Sequence, residues 1–60
     1  MMIPGHKQML TVEEVADILR TSMPQVRKMA AEGTLPAMKI GREWRIPSKF
    51  LEAFLEEAMR

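Results

Sequence analysis

Sixty residues with no cysteine, one histidine and a net charge of +1 leave room for a single small core. They exclude disulfides, thiolate metal sites and cysteine nucleophiles. The longest apolar run is far below the length that spans a bilayer, and no signal-peptide pattern is present. A soluble protein of the reducing cytoplasm is expected, with no metal, cofactor or small-molecule substrate.

The modest net charge hides a segregation. From Arg20 to Lys49 there are seven cations and two carboxylates, a net +5, while the rest carries two cations against six carboxylates, a net −4. One basic face on a nearly neutral body is the footprint of a polyanion partner. Clustering of solvated charges by chance is the bland alternative.

Met1 to Gln8 ("MMIPGHKQ") has no periodicity and contains a Pro-Gly pair, so it reads as a flexible leader to a domain over 9–60. At "TVEE", Thr11 caps a helix and Glu14 reaches back to it, the capping-box spacing. Val12, Val15, Ala16 and Leu19 then form one apolar stripe. Arg20 sits at the far end, where the helix dipole favours a cation.

A second helix follows within three or four residues. Its start has two readings, with Ser22 as cap and Pro24 in the first turn, or Met23 as cap and Pro24 first. The capping-box spacing of Ser22 and Gln25 favours the first. Val26, Met29 and Ala30 make the buried stripe, and Gly33 supplies a left-handed stop. Two short helices joined by so tight a turn form a helix-turn-helix. At about 100° per residue, Pro24, Lys28 and Ala31 lie opposite the stripe, flanked by Gln25 and Arg27. In this motif the start of the second helix enters the major groove. Gln25 is then placed to read adenine, while Arg27 or Lys28 reads guanine or holds phosphate. Ser22 and the free N–H groups at the helix start suit a phosphate oxygen. A merely solvated polar face is the alternative for these residues taken alone.

The runs "LPAMKI" and "WRI" around "GRE" read as a hairpin, the first an edge strand because Pro36 lacks a donor. A three-residue loop of Gly41, Arg42 and Glu43 places Ile40 opposite Trp44, Lys39 opposite Arg45 and Met38 opposite Ile46. Only this register keeps one face wholly apolar. It leaves Lys39 and Arg45 as a like-charge pair beside Arg42, repulsive unless an anion lies between them. Trp44 is expected to be core rather than a stacking platform. A third helix begins at Pro47 and Ser48, with Phe50, Leu51, Phe54, Leu55 and Ala58 as its apolar face. The fold class is therefore mainly α with a small β-hairpin, in the order helix, helix, hairpin, helix.

"LTVEEVADIL", "S..QV", "EGTLPAMKIGREWRIP" and "LEAFL" together resemble the excisionase-type DNA-binding domain, a short winged helix-turn-helix of the MerR-like group. The resemblance covers roughly Met9 to Leu55. It implies non-enzymatic binding of double-stranded DNA, with the second helix in the major groove and the wing along the backbone or minor groove. By position it assigns the cap-and-turn role to Ser22, reading roles to Gln25, Arg27 and Lys28, and wing contacts to Arg42 and Arg45. The chain departs from the family pattern in three places. Met23 and Pro24 stand where a basic residue often follows the turn serine, Ala31 replaces an Arg, and Glu43 replaces a cation at the wing tip. A small regulator or a recombination directionality factor is the expected function, helped by an integrase-like recombinase or by further copies along the DNA. The alternative is a protein-interaction module on the same fold, docking through Met23, Pro24 and Ala31. Enzymatic chemistry is not expected, since no nucleophile–base pair, metal constellation or phosphate-cradling loop occurs.

Overall fold

A computed structural model describes residues 8–60. The chain order is β1 (Met9–Thr11), α1 (Val12–Leu19), α2 (Met23–Glu32), β2 (Met38–Ile40), β3 (Glu43–Pro47) and α3 (Ser48–Ala58). The three strands form one antiparallel sheet in the order β1-β3-β2. Three helices and this sheet make a winged helix-turn-helix.

β1 is absent from the sequence reading, which opens on a helix. Three residues are too few to display a period of two, and the strand runs straight into a helix cap. Tertiary pairing identifies it: Leu10, fully buried, lies opposite the equally buried Ile46 of β3. Just before it, the carbonyl of Gln8 accepts from the Ser48 backbone N–H at 2.9 Å and from its hydroxyl at 3.3 Å. The rest of the expected leader lies outside the described residues.

The capping box forms as its spacing requires. Thr11 N–H donates to Glu14 Oε1 at 2.9 Å, and Glu14 N–H donates to Thr11 Oγ1 at 3.1 Å. Val12, Val15 and Ala16 are buried along the stripe, with Ile18 and Leu19 packed beside it. α1 ends on Arg20 in the left-handed region, φ 57° and ψ 48°. A non-glycine residue there costs roughly 1–2 kcal/mol. The closing bonds offset part of that cost, as Arg20 N–H donates to Asp17 O at 3.2 Å and Thr21 N–H to Ala16 O at 2.9 Å.

Ser22 is the cap of α2, its hydroxyl accepting from Gln25 N–H at 3.2 Å, and Pro24 falls within the first turn. Val26 and Ala30 are buried and Met29 half-buried. Gly33, at φ 81°, stops the helix while Thr34 and Leu35 N–H groups take up the Met29 carbonyl. Leu35 then drops into the core from a loop, not from a strand. The six most deeply buried large side chains are Leu10, Val15, Val26, Leu35, Ile46 and Leu51. Five come from different helices or strands and one from this loop, while β2 is exposed throughout and adds none, so the core is shared by every element except β2.

α3 departs from its expected apolar face. Leu51 is buried and Phe54 and Leu55 are half-buried, but Phe50 is 45% exposed and Ala58 is exposed. The body is too small to cover so wide a stripe.

The hairpin register is corrected by the structure. Met38 pairs with Arg45, Lys39 with Trp44 and Ile40 with Glu43, across a two-residue turn of Gly41 and Arg42. Gly41 has φ 65° while Arg42 does not have positive φ. That pattern suits a type II′ turn, which takes glycine first and matches strand twist. No wholly apolar face forms, because this half of the hairpin extends past the body and Ile40 is 55% exposed. Where no core covers a face, parity imposes no register.

Candidate nucleic-acid interface

The expected contact residues are carried by two elements that border one groove. α2 presents Ser22, Gln25, Arg27 and Lys28, all exposed, because Val26 and Ala30 turn the opposite side inward. The hairpin presents Lys39, Arg42 and Arg45. Between them and the start of α1 lies an open groove of about 550 Å³. Arg27, Lys39, Arg42 and Arg45 line it, together with Glu13, Glu43, Met23 and Trp44. The fold thus brings four of the seven expected contact residues to one groove. Ser22, Gln25 and Lys28 do not line it and sit on the exposed helix surface.

The new register changes what each hairpin cation does. Lys39 shares a sheet face with Trp44 directly across the strand pair, its Nζ 5.5 Å from the ring centroid. At an exposed position such a contact is worth about 0.5–1 kcal/mol. The expected Lys39–Arg45 repulsion does not arise, since the two lie on opposite faces. Arg45 is held instead by its own strand: Nη1 is 2.6 Å from Glu43 Oε1, two residues away on the same face. The same Nη1 donates to the Trp44 carbonyl at 3.3 Å. Arg42, at the turn, is exposed, and with Arg27 and Lys28 it forms no ion pair with a described carboxylate.

Trp44 is half-buried, packed on the core at one side and lining the groove at the other. The expectation that it faces Ile40 is replaced by contact with Lys39. Glu13 is a groove residue that no sequence motif marks as a contact. The only available signal was the capping box, which fixes Glu13 in the first turn of α1. Met23, set aside as a departure from a basic position, forms part of the groove wall. Among the described residues there is no group of three or more His, Asp or Glu side chains that could hold a metal ion. No described helix is long and apolar enough to cross a membrane.

With the two short helices, their tight turn and the flanking hairpin in place, a family model described as "Helix-turn-helix domain" matches residues 9–59. The chain belongs to the helix-turn-helix domain family. Two curated relatives, both from Mycobacterium tuberculosis, are 41% identical over 49 residues, covering 82% of this chain and 63% of each relative. They are named "Putative DNA-binding protein MT0521" (strain CDC 1551 / Oshkosh) and "Putative DNA-binding protein Rv0500A" (strain ATCC 25618 / H37Rv). The chain thus spans less than two thirds of the relatives it matches. No solved structure matches it.

Within this helix-turn-helix the turn is Arg20 to Ser22, closed by the left-handed Arg20 and the Ser22 cap. These two local devices orient α2 so that its polar side faces away from α1. The match extends through the hairpin and all of α3, so the sheet belongs to the domain rather than being appended to it.

Proposed function

We propose that this chain is a non-enzymatic protein that binds double-stranded DNA, with the start of α2 in the major groove and the hairpin along the backbone or minor groove. The observation that carries this is convergence: Arg27 from α2 and Lys39 and Arg42 from the hairpin border one open groove. A ridge of phosphates fits such a groove, because each cation there gains from releasing condensed counterions. Gln25 and Lys28, exposed outside the groove on α2, are the candidates for base edges, and Ser22 with the helix N-terminus for a phosphate oxygen. The name of the mycobacterial relatives supports the same reading.

The biological setting that fits best is excisionase-like: a small transcription regulator or recombination directionality factor. A single module of this size covers about 600–1,000 Å² of surface on DNA. Added affinity would come from neighbouring copies or from a recombinase on the same DNA. A second reading, docking to protein, is favoured by the exposed Met38 and Ile40 on the outer sheet face.

Affinity for mixed-sequence duplex DNA as a function of salt separates the two. Three phosphate contacts give a log–log slope near about −2.7, at roughly −0.9 per contact. A chain that shows no duplex binding at low salt, or a salt-independent affinity, overturns the DNA reading and leaves the protein-docking one.

A further inference from the structure

Glu43 is the one carboxylate of the hairpin, and its role follows from what it holds. Arg45 lines the same groove as Arg27, Lys39 and Arg42, yet its guanidinium is engaged by Glu43 at 2.6 Å and by the Trp44 carbonyl at 3.3 Å. We propose that Glu43 acts as an internal stand-in for a DNA phosphate, holding Arg45 out of the interface and setting the affinity of the chain for duplex. This rests on the DNA-binding reading above.

Arg45 and Glu43 alternate on one strand with a single residue between them, so their side chains share a sheet face. The pair is open to solvent, with side-chain exposures of 34% for Arg45 and 69% for Glu43. Exposed pairs are weak, and a phosphate offers the same oxygen geometry as a carboxylate to an arginine fork. Transfer of Arg45 from Glu43 to a phosphate therefore exchanges one anion for another and leaves Glu43 facing the DNA unpaired. The exchange yields little net gain, so Arg45 is silent in the wild type. Neutralising Glu43 removes the competitor and frees a fourth groove cation for a phosphate.

The test compares duplex affinity and salt slope for the wild type, Glu43→Gln, Arg45→Gln and the double variant, each checked for folding by circular dichroism. Glu13→Gln serves as a control, since Glu13 lines the same groove but makes no ion pair with a described cation. Glu43→Gln is expected to bind several-fold more tightly near 0.1 M salt and to steepen the slope by about 0.9, one further phosphate contact. Arg45→Gln alone is expected to leave the slope unchanged, and to abolish the gain when combined with Glu43→Gln. Glu13→Gln raises affinity without a steeper slope. The proposal is overturned if Glu43→Gln leaves the slope where it was, if its gain survives in the double variant, or if Glu13→Gln steepens the slope equally. Should Arg45→Gln not fold, the comparison of Glu43→Gln with Glu13→Gln still decides. A wild type that binds no duplex overturns the underlying DNA reading instead.

Discussion

Truncating Ile40 and Ile46 to alanine separates the observed hairpin register from the one that side-chain alternation favours. Both changes remove the same three carbons. Ile46 is fully buried at the centre of the sheet, opposite Leu10. Its loss opens a cavity with no solvent to fill it, and costs about 2–5 kcal/mol. Ile40 is 55% exposed, so less than half of the ~2.4 kcal/mol carried by three fully buried carbons is at stake, about 1 kcal/mol. A domain this small has on the order of 3–9 kcal/mol of stability in total. Urea unfolding followed by circular dichroism resolves the two, since the slope for a chain this short is about 1 kcal/mol/M. Ile46→Ala should lower the midpoint by about 2 M or more, or unfold the chain outright, and Ile40→Ala by about 1 M or less. In the three-residue-loop register Ile40 would oppose Trp44 on the core face. Equal losses for the two variants would therefore refute the pairing of Ile40 with Glu43.

Other expectations follow from single contacts. Ser22→Ala removes the hydroxyl that accepts from Gln25 N–H and should cost about 1 kcal/mol, read as a shift in thermal midpoint. Gly33→Ala meets no neighbouring atom but must hold φ 81°, so it should destabilise by roughly 1–2 kcal/mol through the backbone alone. The same melting assay checks it. Arg42→Gln should weaken duplex binding equally for all sequences and flatten the salt slope by about 0.9. A change in base preference with the slope intact would instead place Arg42 on base edges.

The legible parts of this protein are those governed by contacts within a few residues of each other. Thr11 with Glu14, Ser22 with Pro24, and Gly33 announce the starts of α1 and α2 and the end of α2, because capping is a matter of spacing along the chain. The stripes of α1 and α2 are legible for the same reason, and they carry with them the exposure of Gln25, Arg27 and Lys28. The concentration of cations between Arg20 and Lys49 is likewise a property of the chain.

What required the tertiary structure was everything that depends on partners far along the chain. β1 exists because Leu10 finds Ile46 thirty-six residues later, and three residues contain no pattern that reveals it. The hairpin register depends on how far the core reaches beneath the sheet. Burial ends near Trp44, so Ile40 gains little by facing inward and the tight glycine turn prevails. That shift of one position decides the site, for it sets Lys39 on Trp44 and opposes Arg45 with Met38 rather than Lys39. Glu43 is left beside Arg45, which is a pairing of charges on one face that alternation along the strand permits and only the folded hairpin selects.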